Sequence, residues 1–406
     1  MYTDIINKKH LTWIFYINAF ISYLYNGIIG PLFIIYLLAI NINPAQIGII
    51  LAAQRISIII FEVPTGIFAD RYGRKKSILI SFFIFAILFL LWYLLQNFYI
   101  LILISILGGF AYTFQSGAKK ALMIDTLALK NNDHKRNKIF TNISMIGNVG
   151  FIFGGLLATV IAIYSIKSIW LAASLANLLL FFLFLFFIQE NFKYNHFKER
   201  NKMLFFLKTA INDLKSALKN QKIFLLIIIN AIFSFIIAVY GLLYPILFKE
   251  TINLPNYSFG LLGSLSALVG ILGIFLVKRI AEKKNYFQTF NILSAALLLF
   301  FLLFGFKTIF LWSIIVFVLI EMTINSWYPI YQSLFNKFIL DKNRSSILSI
   351  NSTLGLLFIA CGEILAGLLL NFLKPNLLIM VISPLFLIII ILIAKLQKIK
   401  KCPEQN

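Results

Sequence analysis

Twelve stretches of about 20 or more mostly apolar residues follow one another along the chain, separated by short polar breaks, and a membrane-spanning helix needs roughly 20 such residues. Hydrocarbon offers the backbone no water to bond, so each stretch must satisfy its own N–H and C=O groups, as a helix does. The alternating segments of about ten residues that mark a membrane β-barrel are missing. The sequence therefore reads as an all-α integral membrane protein with spans near 13–40, 46–69, 77–96, 99–124, 140–164, 168–189, 223–248, 257–278, 286–306, 308–335, 345–371 and 376–395. Composition agrees, because a chain of 406 residues that is 61% hydrophobic and 12% charged has more apolar surface than a water-soluble core can hide. The first span lacks a small-residue cleavage site and is expected to be retained.

A net charge of +22 invites a nucleic-acid reading, and its distribution argues against one. Of the 36 Lys and Arg residues, 31 fall in alternate breaks and the two tails, four (Lys167, Lys249, Lys307, Lys374) fall in the opposite breaks, and Arg55 lies inside a span. Basic residues stay on the cytoplasmic side during insertion, so this asymmetry places both termini in the cytoplasm of a bacterial inner membrane protein. The same breaks attract anionic headgroups, which makes membrane lipids, and no nucleic acid, the expected macroscopic partner. Lys119 and Lys120, at the end of the fourth span, read as cations snorkelling to that surface. Cys361 and Cys402 offer neither a disulfide framework nor a metal-ligand spacing, and no cofactor or metal is expected.

The longest and most basic break divides the spans six and six. It gives an N-terminal half at 1–189, a basic linker at 190–222, a C-terminal half at 223–395 and a tail at 396–406. Within the linker, Phe206, Ala210, Ile211, Leu214 and Leu218 fall near helical spacing, consistent with an interfacial amphipathic helix or with a solvated basic segment. Two equal halves joined by a cytoplasmic linker are the organisation of a two-repeat transporter. No HExxH, Walker loop or paired catalytic carboxylates are present, so neither an enzyme nor an ATP-driven pump is expected.

The most specific signal is the break after the second span, Gly66-Ile-Phe-Ala-Asp70-Arg71-Tyr-Gly73-Arg74-Lys75-Lys76, preceded by Glu62-Val63-Pro64-Thr65. Gly66 would allow close helix approach, Asp70 would meet a helix N-terminus or a basic partner, and Gly73 would permit a tight turn. These residues resemble the G-x-x-x-D-R-x-G-R-K/R signature of the major facilitator superfamily at every defining position. The resemblance implies that superfamily's fold, with 12 transmembrane helices in two six-helix halves, and alternating access. It further implies that Asp70 and Arg74 lock one state through the partner half and through an acidic residue at the cytoplasmic end of the fourth span, where Asp125 stands. The corresponding loop of the second half, Val277-Lys-Arg-Ile-Ala-Glu282-Lys-Lys284, keeps charge without the glycines.

A second resemblance concerns direction. Proton-exchanging exporters of the superfamily often carry G-P-x-x-G-G in the fifth span, where this chain reads Gly150-Phe151-Ile-Phe-Gly154-Gly155 after Gly147, with Phe151 in place of the proline. Export of a drug-like or peptide-like antibiotic is the leading reading, and import of a small organic nutrient is the alternative.

Ionisable groups inside spans cost on the order of 3 kcal/mol each and are candidates for function by default. Glu321 in the tenth span is the first candidate for proton coupling and Glu62 the second, with Arg55 on the same face of the second span and Glu363 in the eleventh. The resemblance makes the first, fourth, seventh and tenth spans cavity-lining. That nominates Tyr23, Asn26, Tyr112, Gln115, Asn230, Tyr240, Trp327 and Tyr331, together with Arg55, for a monomer that handles a small-molecule or peptide-like substrate and protons.

Overall fold

The computed structural model describes residues 2–127, 133–190, 220–283, 285–306, 309–339 and 344–399. Fourteen α-helices occur among them: α1 (Tyr2–Ile29), α2 (Phe33–Ala39), α3 (Pro44–Tyr72), α4 (Arg74–Leu94), α5 (Phe98–Thr126), α6 (Asp133–Tyr164), α7 (Ser168–Phe187), α8 (Gln221–Ile246), α9 (Ser258–Lys283), α10 (Tyr286–Phe306), α11 (Phe310–Phe338), α12 (Arg344–Leu369), α13 (Pro375–Ile382) and α14 (Leu385–Lys398). They supply 12 segments long and apolar enough to cross a membrane, α1–α2 and α13–α14 each forming one segment interrupted near a proline. The largest shifts from the expected boundaries are at the first span, whose helix starts at Tyr2, and the fifth, whose helix starts at Asp133. The amphipathic helix expected in the linker falls on 191–219, outside the described residues.

Local chemistry explains where helices begin. Asn43 caps α3 through a reciprocal pair with Gln46, followed by Pro44 at the first position, where its missing N–H costs nothing. Asn97 and Asn220 accept backbone N–H groups at the starts of α5 and α8. Interior prolines occur in α3 (Pro64), α8 (Pro245) and α11 (Pro329).

The chain forms two compact units. The first gathers the described residues through Glu190 together with Asn253–Ala267, and the second gathers 220–252 with the described residues from Leu268 onward. In the first, α1 lies along α6, α3 along α5, and α4 between α5 and α7. Lipid tails are as apolar as leucine, so such contacts depend on close packing and interhelical hydrogen bonds. Both are present. The hydroxyls of Ser57, Ser77, Ser81 and Ser174 donate to the carbonyls of Ile106, Phe114, Ala111 and Ala86 on neighbouring helices, at 2.6–2.7 Å. Gly150 and Gly154 bring α6 so near α1 that a Cβ at either would collide with the carbonyl oxygens of Phe20 and Leu24. On the adjoining face of α6, the Ser264 hydroxyl at the start of α9 donates to the Ile152 carbonyl at 2.8 Å. Trp92 and Trp170 stack at 4.7 Å, with the Tyr36 hydroxyl on the Trp92 carbonyl.

In the second unit α8 lies along α12, and α10 packs on α11, α13 and α14. Phe233, Trp327, Tyr331 and Phe335 form a run of parallel rings, Phe233 on Trp327 at 3.5 Å.

Candidate functional site

The loop between α3 and α4 is a single residue, Gly73, whose φ of 102° is a backbone conformation that side-chain-bearing residues rarely adopt. Gly73 has no side chain with which to cap α4, and Glu190, just beyond α7, takes that role: its carboxylate accepts the backbone N–H of Arg74 at 3.0 Å and of Lys75 at 2.8 Å. Lys75 in return donates its ammonium to the Leu185 carbonyl at 2.9 Å. The Arg74 guanidinium is paired with the Asp125 carboxylate at the end of α5, so these two expected partners are brought together. Arg71 lies over the ring of its neighbour Tyr72, and Asp70 is exposed.

Gly66 departs from expectation. Among the described residues nothing lies within 4 Å of the place where its Cβ would stand. The close approach of α3 to α5 occurs two turns and more earlier in α3, where Gly109 of α5 meets the Gln54 carbonyl and the Ser57 side chain.

Between the ends of these helices, α1, α3 and α5 assemble a polar cluster. The Tyr112 hydroxyl lies within electrostatic reach of Glu62, Arg55 and Tyr23, so four expected site residues share one locality. Tyr23 and Tyr112 are 41% and 45% exposed, Arg55 and Glu62 are half-buried, and Asn26 is exposed with its amide donating to the Ser22 carbonyl at 2.7 Å. Gln115, one turn along α5 from Tyr112, is buried.

In the second unit the Tyr240 hydroxyl of α8 donates to the Glu321 carboxylate of α11 at 3.1 Å. Tyr244, one turn further along α8, is also within electrostatic reach of Glu321. The Asn325 amide donates to the Glu321 carbonyl at 2.8 Å.

Of the residues nominated for the cavity, Gln115, Asn230, Tyr240, Trp327 and Tyr331 are buried. Trp327 and Tyr331 are fully buried, Trp327 donating to the Ser294 hydroxyl at 3.0 Å and Tyr331 to the Asn351 side chain at 2.9 Å. Their rings fill the space between α8, α10 and α12, and the polar tips find buried partners. Asn230 is buried in the same network, on the Asn351 carbonyl at 3.4 Å, and Tyr240 is buried apart from its contact with Glu321. Glu363 on α12 is 4% exposed, the most deeply buried carboxylate among the described residues.

Sequence reasoning passed over Glu190, Tyr244 and Asn351. Tyr244 stands one helical turn from Tyr240 and Asn351 is an amide inside a span, so periodicity held a signal for both. Glu190 gave none beyond being a carboxylate beside a basic break. The described residues contain no group of three or more His, Cys, Asp or Glu able to hold a metal.

Comparison with known proteins bears on this arrangement. The sequence profile of the Major Facilitator Superfamily matches residues 15–362. An uncharacterised MFS-type transporter of Bacillus subtilis, YxaM, is 28% identical over 401 residues, covering 95% of this chain and 96% of the relative. Multidrug resistance protein 2 of the same organism is 25% identical over 291 residues, 70% and 71% of the two chains. Among solved structures, a mutant of the nucleoside transporter NupG superposes with a TM-score of 0.80 at 14% identity, over 96% of this chain and all of that one.

Proposed function

The chain belongs to the major facilitator superfamily, a multi-pass membrane transporter and not an enzyme, and from that premise we propose that it is a proton-coupled exporter of an amphipathic, drug-like or peptide-like compound, working by alternating access. Coupling is assigned to Glu321. The observation that carries the reading is the contact of Tyr240 with Glu321, a carboxylate inside a span that accepts a hydrogen bond from a buried hydroxyl. A hydroxyl can donate to the carboxylate and accept from the carboxylic acid, so the contact survives a change of protonation. Glu62, in the polar cluster with Arg55, is the second coupling carboxylate.

Export is favoured over import by the likeness to a multidrug resistance protein over 70% of the chain and by the glycine-rich contact face of α6. In this reading both termini are cytoplasmic, the membrane is the bacterial plasma membrane and the working unit is a monomer. Arg74 and Asp125 close the cytoplasmic side with Asp70, and the exposed tyrosines Tyr23 and Tyr112 face the solute.

The test is expression in a bacterial host stripped of its own efflux pumps, scored for growth across amphipathic drugs and antibiotic peptides. Raised tolerance to one or more compounds, lost with Glu321→Gln while the protein still reaches the membrane, is the expected result. Unchanged tolerance across the panel, with uptake of a nutrient instead, would show that the direction is inward. Full pH-driven transport by the Glu321→Gln protein would remove that residue from coupling.

A further inference from the structure

The first unit holds a cation that neither the loop nor the polar cluster uses. Lys119 stands seven residues before the end of α5, about 10 Å along the axis from Thr126. A snorkelling lysine would carry its ammonium toward that end. Here the ammonium lies instead 3.4 Å from the Ser22 hydroxyl of α1 and 4.9 Å from the centre of the Phe82 ring of α4. Its immediate neighbours on α5, Ala118, Leu122 and Met123, belong with Phe82 to one buried apolar cluster.

Among the described residues no carboxylate pairs with Lys119. A hydroxyl and an aromatic face supply only partial negative charge, which leaves the ammonium without the counter-charge that interior cations ordinarily have. One turn before Ser22 on the same face of α1, the Asn18 amide nitrogen is buried with no acceptor; the residue is 6% exposed. The ammonium thus has a neutral hydroxyl and no anion as its acceptor, the buried amide has no acceptor at all, and Ser22, the ammonium's partner, stands one helical turn from Asn18. Residues 18, 22 and 26 recur at helical spacing on α1, and 112, 115 and 119 do so on α5. The two rows run from exposed Asn26 and Tyr112 to buried Asn18 and half-buried Lys119.

We propose that Lys119, Ser22 and Asn18 form a binding site for the anionic end, a carboxylate or a phosphate, of an organic solute carried by this protein. An arriving anion supplies the charge missing at Lys119 and the acceptor missing at Asn18, forming charge-assisted hydrogen bonds in a site shielded from water. The inference deepens the transporter reading by giving the solute a negative group, and its test reads binding alone, independent of direction and coupling.

The test uses the full-length protein purified in detergent, unfolded by heat with and without sodium benzoate or phenyl phosphate, with benzyltrimethylammonium as a cation of similar size. Either anion should raise the wild-type midpoint by about 2 °C or more at saturation. The shift should persist in Lys119→Arg and vanish in Lys119→Met and Asn18→Ala, while the cation does nothing. Without added anion, Lys119→Met should be at least as stable as wild type, because it removes a charge lacking a partner. Equal shifts in wild type and Lys119→Met, no shift with either anion, or a marked loss of stability in Lys119→Met without any anion effect would each overturn the proposal. Failure of the growth assay would leave this binding result standing, and loss of anion binding would leave that assay standing.

Discussion

Glu190 accepts the backbone N–H groups of both Arg74 and Lys75, so a residue 116 positions away in sequence completes the start of α4. A carboxylate at this point satisfies two otherwise orphaned donors and meets the positive end of the helix dipole. Glu190→Gln keeps an acceptor and loses the charge, for an expected loss of roughly 0.5–1 kcal/mol. Glu190→Ala loses both, for about 1–2 kcal/mol. Thermal unfolding of the two variants in detergent checks the order; equal midpoints for both and wild type would mean the contact is incidental.

The pairing of Arg74 with Asp125 is expected to matter more for transport than for stability. Its side chains are 28% and 39% exposed, and partly exposed pairs contribute about 0–1 kcal/mol. Arg74→Ala and Asp125→Asn should therefore unfold within a few degrees of wild type while slowing transport. The exchanged pair, Arg74→Asp with Asp125→Arg, should recover part of the rate. No recovery would indicate that Arg74 acts through a different partner.

Glycines in this chain should differ sharply in tolerance. A Cβ at Gly150 or Gly154 meets main-chain oxygen, which cannot rotate away, so Gly154→Val should cost about 1–3 kcal/mol or more and lower the yield of folded protein. Gly66 faces open space within a helix, where alanine stabilises by roughly 0.5–1 kcal/mol. Size-exclusion profiles of the tagged proteins separate the two; a misfolded Gly66→Ala protein would contradict the open placement.

Aromatic residues of the same chemical kind should split likewise. Trp327→Ala removes a fully buried ring stacked on Phe233 and should cost about 3–5 kcal/mol. Tyr112→Ala, at an exposed position, should change stability by about 0.5 kcal/mol or less and alter transport alone. Thermal midpoints set beside transport rates decide it, and a stable, inactive Trp327→Ala protein would return that ring to the cavity.

Spans and the Gly73 turn were legible in the sequence because both are local: hydropathy needs about 20 consecutive residues, and the turn needs a glycine where φ is positive. The partnership of Arg74 with Asp125 was legible only through resemblance to a family. Burial was where sequence reasoning failed. Tyr23 and Trp327 look alike in a string of letters, yet one is 41% exposed and the other sealed, because the angular position of each helix follows from packing against neighbours that a span's own residues do not name. Lys119 failed for the same reason, since distance from a helix end was read without the neighbouring Ser22 and Phe82 toward which its ammonium turns.

Mechanical compliance is unevenly distributed over the bundle. Helix α6 runs 32 residues, about 48 Å, without an interior proline, and is laminated to α1 by glycines. The three helices with interior prolines are those that carry Glu62, Tyr240 and Glu321. Each proline deletes one rung of the backbone ladder, that from the carbonyl of Ile60, Gly241 or Asn325, and a helix bends most readily where a rung is missing. In the proposed cycle, a change of charge at Glu62 or Glu321 acts on a helix whose own backbone ladder is already broken, so the bend falls at Pro64 or Pro329 of that same helix.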